Sequence, residues 1–159
     1  MVIHCATGFN VEVPFDKLDG IFLENINLHR AELEEANLIG SSFMNSNLRG
    51  AFLFNAKMSG CNLESTNLIV ADLRNTDLSD ANLKKSLAIS TLFENANLQN
   101  SSFEGANIEG ADFRNANLKG ANMRRVIGIE KAIFEKAIFD SSTIWPKGFN
   151  VKEYGAEMK

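Results

Sequence analysis

The sequence contains few of the residues from which catalytic and metal sites are built. Its 159 residues include only two cysteines and two histidines. Cys5 and Cys61 do not suggest a disulfide framework, and Cys61 is expected to be a small buried apolar side chain. His4 adjoins Cys5, but no second Cys/His pair completes a metal site. The glycines recur at a fixed spacing rather than in a phosphate-binding loop. Neither a metal nor a cofactor is therefore expected.

Long apolar runs are also absent. No stretch of about 20 apolar residues occurs, so no membrane-spanning helix is expected. The first residues lack the basic start and long apolar run of a secretory signal, which favours a cytoplasmic location. The net charge is −4, and residues 1–35 carry seven acidic but only two basic residues. This acidity argues against a nucleic-acid partner.

What the sequence has in abundance is a bulky apolar residue at every fifth position. From position 18 to position 123, 21 of the 22 positions at this spacing are Leu, Phe, Ile or Met, and only Ala88 is small. From position 33 onward, a small residue such as Ala31 or Ser41 stands two residues before each position of this series, and the residue directly before it is often Asn or Asp. Such internal repetition indicates a repeat architecture.

Neither an α-helix nor a single strand can bury this pattern. A five-residue step turns about 140° around an α-helix, so the leucines would spiral around it. In a strand, an odd step places successive leucines on opposite faces. The spacing therefore predicts a chain that turns about once every five residues, so that each bulky side chain and the small residue before it point to a common axis. Successive coils would stack about 4.8 Å apart.

Consecutive units such as residues 106–110 (ANIEG), 111–115 (ADFRN) and 116–120 (ANLKG) resemble the A-(D/N)-L-x-x unit of pentapeptide-repeat proteins. The resemblance covers residues 16–144. It implies an all-β fold, a right-handed quadrilateral (four-sided) β-helix solenoid with four pentapeptides per coil, hence about six coils here. The C-terminal residues 145–159 are similar to those of cyanobacterial members, which implies a bacterial source of that kind.

The repeats predict a single domain over residues 1–159 with a cap at each end, because an open solenoid exposes its core. Residues 1–15 form the expected N-terminal cap, in which alternating apolar residues at 9–13 predict a strand that covers the first coil. Residues 145–159 contain the only tryptophan and the only tyrosine. These aromatic residues are expected to cover the last coil as a C-terminal cap.

The repeats at 16–144 have two irregularities. The register fails after position 123, and a one-residue insertion near 126–130 accounts for this, with Gly128 suited to a bulge. At Ala88 the register is kept but the bulky residue is missing, which predicts a locally distorted side. After the insertion the small and bulky residues are expected to be Ala132/Phe134, Ala137/Phe139 and Ser142/Ile144.

If four units make a coil, residues twenty apart are stacked neighbours. Charges then alternate along two outward columns, and these columns are expected to form ion pairs that support the register, each worth about 0–1 kcal/mol. The Asn and Asp side chains are expected to bond to the backbone of the turns. The charged columns are Glu64, Lys84, Glu104 and Arg124, and Arg74, Glu94 and Arg114.

Seven large apolar residues depart from this polar surface and fall on two adjoining sides. Soluble monomers seldom expose large contiguous apolar patches, so one interpretation is a contact surface for a second copy or another protein. The other is that the residues are scattered and partly covered by long neighbours. The first predicts that Phe54→Glu or Ile89→Glu preserves the fold and changes association. The seven are Phe52, Phe54, Ile69, Val70, Leu87, Ile89 and Leu92.

These features favour a non-catalytic protein-interaction or scaffold module of unspecified biological role. Catalysis needs polar groups that converge in a concavity, and His29, on an outward side, is not expected to act as a base or ligand. The resemblance implies an alternative, because some pentapeptide-repeat proteins mimic DNA and bind bacterial gyrase, conferring quinolone resistance. That role requires a continuous acidic surface, whereas residues 36–130 carry nine acidic and nine basic residues. The expected partner is another protein or a second copy of the chain.

Overall fold

The repeats form a coil whose turns stack in parallel. The computed structural model describes residues 1–14 and 16–159, so residue 15, the last of the predicted N-terminal cap, lies outside the described residues. Residues twenty apart form parallel bridges, for example Asn27 with Asn47 and Asn47 with Asn67. Because a turn follows every five residues, this spacing gives four sides per coil. The bulky side chains point inward, and Phe43 and Leu68 are fully buried.

Most corners are four-residue turns closed by a backbone hydrogen bond. The N–H of Ala31 donates to the carbonyl oxygen of Leu28 at 3.0 Å, and Arg30, the third residue of that turn, has φ +56°. Positive φ at this position is typical of a type II turn, and Gly and Asn tolerate it best. This requirement explains why glycine or asparagine so often stands two residues after the bulky residue.

Side chains complete the hydrogen bonding of the sides and corners. Asn67 Oδ1 accepts from the N–H of Ile69 at 3.1 Å, and the same bond recurs along the repeats, which confirms that the Asn and Asp side chains bond to the turns. At an inward small position, Thr66 Oγ1 donates to the carbonyl oxygen of Phe43 at 2.8 Å. Threonine is therefore accepted in the apolar interior because its hydroxyl is paired.

The side at Ala88 is not distorted, so that prediction is wrong. The N–H of Ala88 donates to the carbonyl oxygen of Asn107 at 2.8 Å, as the ladder requires. Ala88 is fully buried. Phe93 and Phe103, on the two neighbouring sides, meet edge to face with ring centroids 5.6 Å apart. Aromatic rings fill the interior here, and the backbone ladder continues past the small side chain.

The N-terminal segment is a hairpin rather than a single strand. Strand β1 (Val2–Ile3) pairs antiparallel with β2 (Val11–Glu12). Cys5 forms an antiparallel bridge with Ala31 of the first coil, whereas Phe9 is 82% exposed. Val13 is buried in the core and Val11 packs against it, so the predicted strand packs on the core over 11–13, but it excludes Phe9 and pairs with β1. Alternation shows that a segment has two faces but not which strand it pairs with.

The C-terminal segment packs on the last coil through aromatic contacts. Strand β3 (Ile138–Phe139) pairs in parallel with β4 (Glu157–Met158), and a 3₁₀ helix spans Val151–Tyr154. The Trp145 ring lies edge to face with Phe134 at 5.6 Å between centroids. Within the described residues, no helix is long and apolar enough to cross a bilayer.

The register shifts twice near this end. The bridge of Asp112 with Ile133 spans 21 residues, and a 3₁₀ helix at Ile129–Lys131 follows Gly128, which has φ +75°. The bridge of Asn122 with Ile144 spans 22 residues. A second residue is thus inserted after position 139.

The second insertion means that the predicted pair Ser142/Ile144 is one residue out of phase. Thr143 is the buried small residue, and its Oγ1 donates to the carbonyl oxygen of Leu118 at 2.9 Å. Ser142 is exposed, and its N–H donates to Asp140 Oδ1 at 3.0 Å. Serine and threonine both suit the small position, so the sequence pattern does not distinguish them.

We expect Gly128→Ala to destabilise the fold more than Gly60→Ala. Both glycines have positive φ, +75° and +66°. A Cβ at Gly128 would lie 2.6 Å from Glu109 Cβ, whereas one at Gly60 would meet nothing within 4 Å. Each alanine costs about 1–2 kcal/mol for the left-handed backbone, and Gly128→Ala about 1–3 kcal/mol more for overpacking. Urea unfolding measures both, and equal losses would contradict the predicted clash.

Candidate interaction surface

The seven predicted patch residues lie on two adjacent sides of the coil. One side carries Ile69, Val70, Leu87 and Ile89, which we call the apolar wall. The next side carries Phe52, Phe54 and Leu92, which we call the arginine-covered side. Bridges from Asn67 to Leu87 and from Phe52 through Asp72 to Leu92 place these residues in stacked columns. The structure therefore brings the seven together around one corner but in two different environments.

Arginines cover the phenylalanines of the arginine-covered side. The guanidinium carbon of Arg30 lies 6.0 Å from the centre of the Phe52 ring, and that of Arg74 lies 5.7 Å from the centre of the Phe54 ring. A guanidinium over an aromatic face is attractive and shields the ring from water. Both phenylalanines are half-buried. The interpretation in which long neighbours cover the apolar residues thus describes this side.

A carboxylate holds Arg74 in place, and Arg114 forms the same pair two coils further along the repeats. Arg74 Nη2 lies 2.6 Å from Asp72 Oδ2, and the hydrogen bond from Arg74 lowers the pKa of Asp72. Burial raises the pKa of Asp112, but the bonds from Arg114 outweigh it and the pKa is lowered overall. A carboxylate with a lowered folded pKa adds stability above its unfolded pKa of about 3.9, and the stability is lost as the pH falls through the folded pKa. Both pairs therefore support the fold at neutral pH.

The ion pairs differ from the predicted columns. Some use the residue next to the predicted partner, and others form within a single unit. Glu64 Oε1 lies 3.4 Å from Nζ of Lys85 rather than pairing with Lys84, and Glu104 Oε1 lies 3.6 Å from Nη1 of Arg125. Arg74 pairs with Asp72 in its own unit rather than with Glu94. A fork-shaped guanidinium can bond an aspartate two residues away through two nitrogens, which a partner one coil away does not match.

The apolar wall is uncovered by comparison. Val70 is 49% exposed and Leu87 is 42% exposed, and Ile69 and Ile89 are half-buried. Ile127, which is 58% exposed, lies in the same column as Leu87 with Asn107 between them. The sequence pattern missed Ile127 because the register near 126–130 was ambiguous, and only the bridge to Asn107 assigns its position.

Val70 combines exposure with an unfavourable backbone conformation. It stands at a corner with φ +53°. A β-branched residue is an outlier in this region, where Gly and Asn are preferred. The preceding corner residue in the column is Gly50, where an added Cβ would lie 4.0 Å from Val70 Cγ2. The fold does not need valine here, and backbone strain of this kind is concentrated at functional sites.

The cysteines and His4 do not form a reactive centre. Burial raises the pKa of the Cys5 thiol, helped by Glu32, and raises the pKa of Cys61 to about 12. Cys61 Sγ donates to the carbonyl oxygen of Leu38 at 2.9 Å. The thiolate is the nucleophilic form, so thiols with raised pKa values are inert. His4 is exposed. Among residues 1–14 and 16–159, no group of three or more His, Cys, Asp or Glu could hold a metal ion.

Known proteins share this architecture. A family model for pentapeptide repeats, in eight copies, matches residues 17–50, 46–84 and 91–127. The structure of QnrB1, a plasmid-mediated fluoroquinolone resistance protein, superposes with TM-score 0.56 and 11% identity over 87% of this chain and 92% of that chain. A comparison with curated protein sequences gives no match.

Two pentapeptide repeat proteins of the cyanobacterium Nostoc PCC 7120 are also similar. The protein alr5209 is 32% identical over 84% of both chains, with TM-score 0.31. HetL, involved in heterocyst differentiation regulation, is 21% identical over 88% of this chain and 84% of that chain, with TM-score 0.34. The likeness to QnrB1 shows the fold alone.

We expect Val70→Asn to stabilise the fold. Asparagine occupies the corresponding corner at positions 55, 75 and 95 with similar φ, and it relieves the strain of a β-branched residue there. The gain is about 0.5–1 kcal/mol, a fraction of the left-handed penalty. Urea unfolding of the variant beside Asn75→Val, the reverse exchange at another corner, measures it. A stability equal to or below that of the wild type would mean that Val70 contributes packing that outweighs its strain.

Proposed function

Because the chain belongs to the pentapeptide repeat family, we propose that it is a non-catalytic interaction module that binds another protein chain through its apolar wall. Members of the family fold as right-handed β-helices, and the described part of this chain contains only short strands, turns and 3₁₀ helices. In this proposal residues 1–159 form one domain of about six coils, closed by its terminal segments and acting in the cytoplasm.

The strained and exposed Val70 carries the proposal. Its corner keeps an apolar side chain although the left-handed backbone there is unfavourable for valine. Selection for stability alone would replace this valine. Leu87 and Ile89 extend the same apolar surface along the wall. An uncovered apolar surface with a polar surround is typical of protein-binding sites. Phe52, Phe54 and Leu92 extend the proposed surface around the corner.

The interior supports a role without catalysis. Phe93, Phe103 and Phe113 pack against one another, with ring centroids 4.9–5.7 Å apart, and are fully buried. Catalysis needs polar groups that converge in a cleft. The inward positions hold apolar or small side chains, and the outward positions lie on flat sides. Such a module presents side chains to a partner rather than enclosing a substrate.

We expect Leu87→Glu/Ile89→Glu to abolish partner binding and leave the fold intact. The charges would lie on the wall and oppose an apolar contact. Immobilised wild type and variant are compared for captured chains, including the protein itself, in an extract of the source organism. Ser59→Glu, at the equivalent position on the opposite side, is the control.

The captured chains show whether the apolar wall binds a partner. Loss of a captured chain by the double variant, with retention by Ser59→Glu, supports the proposal. Identical capture by all three proteins would contradict it. Phe54→Glu shows whether the arginine-covered side takes part, because this substitution displaces the ring beneath Arg74.

The alternative is a DNA-mimicking protein that binds bacterial gyrase. The observation in its favour is the likeness in fold to QnrB1, whose name associates it with fluoroquinolone resistance. Against it, acidic and basic residues are equal in number over residues 36–130, so this part of the surface does not reproduce the uniform charge of a DNA duplex.

A supercoiling assay decides between these functions. We expect purified gyrase to supercoil relaxed plasmid at the same rate with and without an excess of this protein, and fluoroquinolone inhibition to be unchanged. Inhibition of supercoiling, or protection from the drug, at micromolar protein would favour the alternative. Leu87→Glu/Ile89→Glu in the same assay would then show whether the apolar wall contacts gyrase.

A further inference from the structure

We propose that the apolar wall binds the apolar wall of a second copy of the chain, with the two rods antiparallel. This inference rests on the proposed function and names its partner. The apolar centre alone would suit many proteins. The charges at its two ends are what select a second copy.

Four stacked residues, two of the apolar wall and one on either side of them, form a self-complementary order. Backbone hydrogen bonds from Gly50 to Ile69 and from Ser90 to Glu109 place successive coils in register. The outward residues of this column are therefore Arg49, Ile69, Ile89 and Glu109 from one coil to the next. The column is basic at one end, apolar in the middle and acidic at the other end.

Consider a two-fold axis that lies in the plane of the wall, perpendicular to the stacking direction and midway between Ile69 and Ile89. It places this column against the same column of a second copy, running in the opposite direction. Ile69 then faces Ile89 of the second copy, and Arg49 faces Glu109 of the second copy. Symmetry repeats both contacts, as in any isologous interface. This column is thus complementary to itself in polarity and in charge.

Both charged residues have bonding capacity left for a partner. Arg49 is exposed and forms no ion pair within the described residues. Glu109 Oε1 lies 2.5 Å from Nζ of Lys131, but its side chain remains 43% exposed. A carboxylate has about four acceptor positions, so Glu109 can accept from Arg49 as well.

The antiparallel arrangement is favoured over a parallel one. In a parallel pair, each coil faces the same coil of the second copy. Arg49 would then lie near Asn47 of the second copy, and Glu109 would lie near Asn107 of the second copy. No opposite charges would then meet. Charge complementarity fixes the orientation of a complex more than its strength.

The corners beside the wall permit close approach. Gly50 and Gly110 occupy the corner column beside Arg49 and Glu109, where they carry no side chain. In the antiparallel register Gly50 of one copy faces Gly110 of the other. Val70, between them in the column, would face Ser90. The strained valine therefore lies midway along the contact, at the corner that borders it.

The size of the wall sets the expected affinity. A side of three extended residues is about 10 Å wide, and the four coils from Arg49 to Glu109 span about 19 Å. Allowing for the relief of the side chains, about 300–400 Å² is buried on each copy, which is the size of a weak, transient interface. We therefore expect a dimer that dissociates in the micromolar range and weakens as salt is raised.

Charge reversal tests the register directly. We expect Arg49→Glu to weaken dimerisation about tenfold or more, because like charges then meet at both ends. Glu109→Arg should do the same. The double variant Arg49→Glu/Glu109→Arg restores opposite charges across the contact and should bind more tightly than either single variant, short of full recovery because an arginine at position 109 repels Lys131. Sedimentation equilibrium from 1 to about 200 µM, a range that brackets weak interfaces, measures all four proteins.

Controls separate association from folding. Circular dichroism and thermal unfolding verify that each variant keeps the fold. Ser59→Glu, on the opposite side, should dimerise like the wild type, whereas Val70→Asn should dimerise more weakly while being at least as stable. This opposition between stability and association is what a strained contact residue predicts.

Each of the other outcomes would overturn a different part of the proposal. A wild type that is monomeric over the whole range overturns the second-copy inference, while capture of a different protein by the wall would leave the proposed function standing. Dimerisation without rescue by the double variant overturns the antiparallel register. If neither dimerisation nor capture responds to Leu87→Glu/Ile89→Glu, the proposed function fails as well.

Discussion

The fold depends on two constraints that must be met together at every side of the coil. Each side buries one bulky and one small side chain, and its backbone bonds to the coils before and after it. A side contains only about three extended residues, far too few to be stable alone. Stability therefore comes from the stack, in which each coil satisfies the backbone of its neighbours. The left-handed corner residue makes this possible because it lets the chain turn without losing that register.

These constraints involve only part of each unit. The small and bulky residues point inward, the Asn or Asp side chain bonds the turn, and the corner favours Gly or Asn. The other outward positions pair with one another or face solvent, and the fold constrains their identity less. A residue that departs from the type the fold favours at its position is therefore a candidate for a functional role. Val70 is such a departure, because its corner holds a β-branched residue where the fold favours others.

The two apolar sides illustrate why exposure must be judged with its neighbours. Phe52 and Phe54 look as apolar in the sequence as Leu87 and Ile89. Arg30 and Arg74 lie over the phenylalanine rings, and Asp72 holds Arg74 there. The wall beyond the corner has no such cover. Antiparallel stacking of two walls would supply it from a second copy, because the charges bordering the wall have opposite signs at its two ends.

The five-residue spacing predicted the turn at every fifth residue and most of the inward positions, and the recurring Asn and Asp predicted the side-chain bonds to the turns. They could do so because burial, corner geometry and Asx bonding act within one unit. Other outcomes came from contacts across the folded coil: the bridge of Cys5 with Ala31, the choice of Thr143 over Ser142 as the inward residue, the pairing of Glu64 with Lys85, and the place of Ile127 in the column of Leu87. Those outcomes depend on contacts between units about twenty residues apart, where side-chain reach and inserted residues change the partner without changing the local pattern.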